Sequence, residues 1–241
     1  MNYIFADMKY LWIPGILILL FSCSPSEEEL IERGRQLLDE GNPEKAISFL
    51  DRAIEKNDEN AESHNLRGVA HFQLEENQKA IDDWDKAILL DTTDYKPFYN
   101  RGNALFQEEN YKEAIRSYSM ALELQPDISD IYLNRANAWI IVGQYEQAIQ
   151  DFDFSIKIDP DNFQAHFNKG KSLVKIFNLN LAEESLLNAQ KLDPEHGETY
   201  YWLGFVHINK GDKDIGCEEL KKAVRYGFNP SNKALMDNCD S

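Results

Sequence analysis

Residues 96–126 read KPFYNRGNALFQEENYKEAIRSYSMALELQP, and the chain copies this unit before and after it at a fixed spacing. Steps of 34 residues from Gly34 reach Gly68, Gly102, Ala136, Gly170 and Gly204, so only the smallest side chains hold this position. A second comb in the same register is Ala46, Ala80, Ala114, Ala148, Ala182 and Gly216; a third is Ala53, Ala87, Ala121, Ser155, Ala189 and Ala223. Small residues let two helix backbones approach closely, and a period of this length marks stacked helical hairpins.

The large-x-x-large-small-x-x-large…Ala-x-x-x-aromatic…Pro order of these units resembles the tetratricopeptide repeat (TPR) family. Tiling from the combs gives six units, 27–60, 61–94, 95–128, 129–162, 163–196 and 197–230. The resemblance implies an all-α fold, a right-handed superhelical solenoid of antiparallel helix hairpins forming one domain, with a capping helix over 231–241. Its core is a continuous seam rather than a ball. Leu50, Trp84, Tyr118, Phe152, Leu186 and Leu220 on the second helices fill that seam with Leu37, Leu105, Trp139 and Leu173 on the first, since aromatics at helical spacing serve packing. Gly41 stops the first helix, Asn42 is placed to cap the second and Pro43 to start it; Asn110, Asn178 and Asp212 hold equivalent turns. Pro126, Pro160 and Pro194 close units three to five. Asp58 and Thr92 stand there in units one and two, which predicts looser junctions.

One residue before the small comb runs a basic column, Arg33, Arg67, Arg101, Arg135 and Lys169. Asp83 and Asp151 follow Arg67 and Arg135 by sixteen residues, across the same hairpin, and are expected to pair with them. His64, His71, His166 and His207 fall where a large residue is expected, without ligand spacing, so no metal site is predicted. There is no Gly-rich phosphate loop and no nucleophile motif, and the expectation is a protein that is no enzyme and takes no cofactor. A formal net charge of -17 argues against nucleic acid as a partner, and against an anionic bilayer held by charge alone.

Residues 10–22, YLWIPGILILLFS, follow Lys9 and precede Cys23. A spanning helix needs about 20 apolar residues, so this run reads as a signal peptide over 1–22. Met8-Lys9 is a more natural start for it than Met1. Leu20-Phe21-Ser22-Cys23 resembles the lipobox of bacterial lipoproteins, which implies that Cys23 is acylated, anchors the chain to the membrane and is followed by a tether over 23–26. An ordinary secretory signal or a buried helix with an incidental cysteine is the alternative. The run Glu27–Glu29 resembles acidic surface-export tags of some Bacteroidetes lipoproteins, and an acidic first helical turn explains it equally. The expected location is the cell envelope, as an outer-membrane lipoprotein facing the periplasm or the cell surface. Cys217 and Cys239 are equidistant from Phe228, so an antiparallel hairpin sets them at one height. In an exported protein that reads as a disulfide clamping the end of the solenoid; two unrelated buried thiols are the alternative. Asn229 is expected to cap the last helix and Pro230 to start it, with Ala234 and Leu235 over the end of the seam.

In the family resembled, first helices line the concave face. Here one position carries Asn100, Asn134, Asn168 and Trp202; three residues on stand Asn103, Asn137, Lys171 and Phe205; one residue earlier stand Tyr99, Leu133, Phe167 and Tyr201. An amide row donates to and accepts from an extended peptide, and aromatics add contact area at low entropic cost. The row resembles the asparagine ladder of some peptide-binding repeat proteins, although Asn is also frequent there without a ligand. The candidate peptide-binding set is Asn100, Asn103, Asn134, Asn137, Asn168, Tyr99, Phe167 and Tyr201, for a protein or peptide partner. The carboxylate clamp of chaperone-binding relatives is not supplied, because Lys96 and Asn100 lack the other partners and Asp130 repels a terminal carboxylate. Two functions follow: an interaction scaffold using the concave groove, or an envelope assembly factor, escorting secretins or outer-membrane proteins, that uses the convex face or an end.

Overall fold

The computed structural model describes residues 24–239, so the expected signal peptide and the lipidation site Cys23 lie outside the described residues. Among the described residues there are thirteen helices and no strand. Hairpins are formed by α1 (Glu27–Asp39) with α2 (Pro43–Lys56), α3 (Ala61–Gln73) with α4 (Asn77–Leu90), and α5 (Tyr95–Gln107) with α6 (Tyr111–Leu124). They continue with α7 (Ser129–Ile141) and α8 (Tyr145–Ile158), α9 (Phe163–Lys175) and α10 (Leu179–Leu192), and α11 (Gly197–Lys210) and α12 (Lys213–Arg225). The final helix, α13 (Ser231–Asn238), packs on α12. Each helix packs on the next in the chain, and the first helices of successive hairpins also touch, which puts them on the inside of the curve.

Within a hairpin, residues i and i+16 face each other. A Cβ built on Gly102 would lie 2.6 Å from the Tyr118 ring, and Gly34, Gly68, Gly170 and Gly204 meet Leu50, Trp84, Leu186 and Leu220 in the same way. The comb is small because the large residue of the facing helix fills that space. Those facing residues, with Phe152 opposite Ala136, are all essentially inaccessible to solvent and form the seam.

Each hairpin turn closes through the backbone. The residue at 41, 75, 109, 143, 177 or 211 is left-handed, and the next amide returns to the carbonyl five residues back, as in Asn42 to Leu37 (2.8 Å) and Asn110 to Leu105 (2.8 Å). Glycine holds three of these positions; Glu75, Glu109 and Phe177 adopt φ 60 without it. With the turn closed this way, the expected caps change. Asn42, Asn110 and Asp212 occupy the cap position without a side-chain cap bond, and Asn42 Nδ2 donates to the Glu40 carbonyl instead. Asn178 is the expected turn cap that does bond, accepting from Leu181 N (3.5 Å), and the other side-chain caps serve first helices: Ser26, Asn60, Asp94 and Asn162. Ser26 forms a capping box with Glu29 that starts α1, and Glu27 accepts from Asn57 and Asn60, which ties α1 to the end of α2 and the start of α3.

Of the two junctions without proline, the first is bonded closed. The Glu27 bonds stitch the first, and His64 Nε2 bonds the Asp58 carbonyl at 3.1 Å, as His166 Nε2 does Pro160 (3.0 Å) and Tyr200 Oη does Pro194 (2.7 Å). A polar ring at this position anchors the loop with or without proline; at the second proline-free junction the position is Phe98, which has no hydrogen-bonding side-chain atom, and Thr93 bonds Asp91 within the loop instead. At the end of the solenoid, Pro230 rather than Asn229 holds the cap position, Ala234 and Leu235 are half-buried, and Cys217 and Cys239 form a disulfide with Cα atoms 5.8 Å apart.

The basic column joins hairpins as well as helices. Arg67 donates to both oxygens of Asp83 (2.9 and 2.6 Å) and Arg135 to both of Asp151 (2.8 and 2.7 Å), as expected from the spacing. Each also reaches back sixteen residues to the preceding hairpin: Arg67 to Asp51 (2.7 Å) and Arg135 to Ser119 (3.0 Å). Arg101 bonds Asp85 behind (2.5 Å) and Ser117 ahead (3.1 Å), and Lys169 bonds Asp153 behind (2.6 Å). Four junctions are therefore each crossed by a cation. Arg33, in the first described hairpin, pairs with Gln36 on its own helix and with Glu40 at that helix's end. Asp83 and Asp151 are buried, and Asp83 hydrogen bonds hold the Arg67 guanidinium above its ordinary range. Removing one partner of such a pair leaves a buried charge. Arg135→Met is expected to cost about 3 kcal/mol in denaturant melts, and adding Asp151→Leu to restore most of it. Simple addition of the two single losses would contradict the pairing.

Candidate functional site

The site is built on α5, α7 and α9, whose solvent-facing flank lies inside the curve. Asn100, Asn134 and Asn168 each stand one residue before a column cation, Arg101, Arg135 and Lys169, so the clasp that fixes a hairpin also fixes the neighbouring amide. Asn100, Asn103, Asn134, Asn137 and Asn168 are all half-buried and form a strip bonded in pairs from one hairpin to the next. Asn168 Nδ2 donates to Asn137 Oδ1 (3.1 Å), and Asn134 Nδ2 donates to Asn103 Oδ1 (3.1 Å) and to Tyr99 Oη (3.2 Å). Tyr118 Oη also donates to Asn103 Oδ1 (2.9 Å), and burial pushes its hydroxyl pKa upward, keeping it a donor.

The row is thus partly bonded to itself, in one direction. Among the described residues, the Oδ1 atoms of Asn134 and Asn168 accept nothing, and the Nδ2 atoms of Asn103 and Asn137 donate to nothing. One column presents open acceptors and the next open donors, which is what an extended backbone requires. Asn100 Nδ2 reaches Asn65 Oδ1 at 3.4 Å, which extends the strip into the second hairpin. Asn65 stands one residue earlier in its unit than the row, so the 34-residue comb passes it by.

The aromatic members divide. Tyr99 is half-buried and bonded into the strip, and Tyr201 is half-buried against Trp202 and Phe228. Phe167 is buried; it stacks on Phe163, meets the edge of His196 and is covered by Lys171 Nζ at 4.8 Å from its ring. It supports the wall and offers little area to a ligand. Phe72 and Phe106 line the groove instead, at one repeat position where aromatic periodicity reads as core.

Three cavities follow the strip. One of about 570 Å³ lies between α3, α5 and α7 beside Tyr95, Tyr99 and Asn100; one of about 300 Å³ lies among Phe72, Phe106, Asn103 and Asn134. The third, about 260 Å³, lies between α7 and α9 and shares Asn137 with the second. A separate cavity of about 500 Å³ separates α11 from α13. Among the described residues no group of three His, Cys, Asp or Glu side chains is arranged to hold a metal, and no helix is long and apolar enough to cross a membrane.

Models of the tetratricopeptide repeat match residues 31–97, 95–128, 129–162, 163–196 and 197–226. The chain belongs to the tetratricopeptide repeat family. Proteins of this family are generally non-catalytic and bind protein or peptide partners, and the TPR fold supports a protein–protein interaction scaffold. No curated protein matches the sequence significantly. Among solved structures, the TPR protein YrrB, described as having an unusual peptide-binding site, is similar with 24% identity and a TM-score of 0.70, over 74% of this chain and 92% of that one. Pseudomonas aeruginosa pilF is similar with 19% identity and a TM-score of 0.68, over 83% and 91%. A TPR protein from Parabacteroides merdae matches with 19% identity and a TM-score of 0.66, over 83% and 79%. These likenesses are of fold.

Where the strip reaches the last two hairpins, Glu198 accepts from Lys171 Nζ (2.9 Å) and Trp202 Nε1 (3.0 Å). Burial raises the Glu198 pKa, but the Lys171 and Trp202 bonds outweigh it and leave the carboxyl below its ordinary 4.5. A carboxyl lowered by folding stabilises the fold fully above its unfolded value, and that contribution is lost as pH falls through the folded value. An NMR titration of Glu198 is expected to show a midpoint below 4.5 that rises in Lys171→Met; a midpoint unchanged by that substitution would contradict the pairing.

Proposed function

We propose that this TPR protein is a lipid-anchored scaffold of the bacterial cell envelope, holding an extended segment of a partner protein along the concave asparagine strip without catalysis. The observation that carries this reading is the strip's polarity, with acceptors open at Asn134 and Asn168 and donors open at Asn103 and Asn137. The cavities between its rungs give side chains of the segment places to enter. The described peptide-binding site of YrrB, a protein of similar fold, is consistent with it. For the envelope, support comes from the lipobox-like Leu20–Cys23 and from the Cys217–Cys239 disulfide, a bond that persists in oxidising compartments. An acyl chain on Cys23 supplies only reversible attachment unless a second contact helps, and a membrane-bound partner is such a contact.

A second reading has its own observation. On α6 and α8, Met120 (42% exposed), Leu124, Phe154 (49% exposed) and Ile158 form an apolar surface on the outside of the curve. An envelope assembly factor docking through the convex face would use it.

Two experiments separate these readings. A triple variant, Asn100→Ala, Asn134→Ala and Asn168→Ala, is expected to weaken capture of the membrane partner by roughly 100-fold, near 1 kcal/mol per lost bond, with its helical content intact. Phe154→Ser is expected to leave capture unchanged; the reverse pattern assigns binding to the convex face. In cell fractionation with a palmitate-analogue label, Cys23→Ser is expected to lose the label and leave the membrane fraction. Label retained by that variant would overturn the anchor.

A further inference from the structure

The cavity of about 260 Å³ between α7 and α9 differs from the rest of the groove in charge. Its polar lining is Asn137, Asn168, Tyr145, Ser172, Lys171 and Lys175, with no carboxylate among them. This occurs on a chain of formal net charge -17. The larger cavity beside Asn100 is the opposite, lined by Glu62, Asp91, Asp94 and Asp130 as well as Arg35 and Lys96.

The two lysines are not equivalent. Lys171 is committed to Glu198 at 2.9 Å and lies over the Phe167 and Trp202 rings. Lys175, in the last turn of α9, is exposed and has no ion pair or hydrogen bond among the described residues. The Tyr145 hydroxyl is likewise unbonded, and Asn137 Nδ2 is one of the open donors of the strip. Ser172 already donates to the Asn168 carbonyl (2.8 Å). One uncompensated positive charge, an amide N–H and a phenol O–H therefore meet in a space floored by Ile140 and by Ile141, which is 49% exposed.

We propose that this pocket receives the carboxylate side chain of a Glu or Asp in the bound segment, and so makes the scaffold selective for acidic partner sequences. The inference rests on the concave-groove reading and names what the groove selects. The occupant follows from three features. A single free ammonium matches one negative charge, while a phosphate would leave its second charge unmet. No Arg fork is present, the usual device for phosphate. The isoleucine floor takes the methylenes of an aliphatic side chain, which a free inorganic anion lacks. The pocket opens onto Asn137 and Asn168, so a segment lying on the strip passes over its mouth. Helix axes stand about 8–10 Å apart, so from α5 to α9 the segment spans roughly six extended residues. The acidic residue then lies towards the end of the segment that rests on the fifth hairpin.

The test uses the full-length protein purified in detergent and a positional-scanning library of acetylated, amidated dodecapeptides that includes phosphoserine. Retained peptides are expected to be enriched about fivefold in Glu or Asp at one position. Lys175→Met is expected to abolish that enrichment, and Lys175→Glu to replace it with Lys or Arg, with the other positions unchanged. Lys175 is a surface residue, and circular dichroism verifies that both variants fold. Peptides retained without an acidic preference, or with one unchanged in Lys175→Glu, would overturn the pocket and leave the groove reading standing. Phosphoserine preferred over Glu would also overturn it. Failure of the wild type to retain any peptide removes the groove reading, and the pocket with it.

Discussion

The two helices of each hairpin lie so close that residues sixteen apart touch, and everything else in the solenoid is arranged around that approach. Gly102 beneath the Tyr118 ring shows how little room remains. Because the facing pair recurs every 34 residues, each hairpin presents the same flanks to its neighbours, and burial runs along the chain as one seam. A hairpin alone would leave half of that seam wet. Stacking covers it, and the Cys217–Cys239 bridge fastens a short helix over the last hairpin.

The same sixteen-residue geometry orders the polar groups. The three arginines beside the small comb reach forward to their own hairpin and back to the previous one, Lys169 reaches back, and each of the four has at least one aspartate. Where the forward partner is Ser117 the aspartate stands behind, at Asp85; where the backward partner is Ser119 it stands ahead, at Asp151. Packing area alone permits neighbouring hairpins to slide, whereas a bond of fixed direction across the junction does not. The asparagines one residue away inherit that registration, and the strip is a structure rather than a scatter of surface amides.

Much of this was legible from residue spacing. The combs located every hairpin, the pairing of Arg67 with Asp83 and Arg135 with Asp151 followed from a shared interval, and Cys217 and Cys239 lay at equal distances from the turn that joins them. The bonds to the preceding hairpin have partners at 51, 85, 119 and 153, also 34 residues apart and Asp in all but Ser119, and they went unread because each cation was matched only with the helix that follows it. Three of the turns misled because backbone closure through a left-handed residue does the work that Asn42, Asn110 and Asp212 appeared to offer, while Asn178 caps as its position suggests. Phe167 looked like groove lining by position, but its packing against Phe163 and His196 is decided by residues in other units. The direction of the bonds within the asparagine strip depends on amide orientation, which spacing does not encode.

A rigid curve with a polarised inner strip has few uses besides holding another chain. In the proposed reading, backbone recognition supplies affinity without sequence preference, and selectivity falls to the cavities between the rungs, lined by two to four hairpins each. The most direct check is the NMR spectrum of the side-chain amides while the captured partner is added. The account predicts that the amide resonances of Asn103, Asn134, Asn137 and Asn168 shift together and saturate at one stoichiometry. Shifts confined to residues around Met120 and Phe154, with those four amides unmoved, would contradict it.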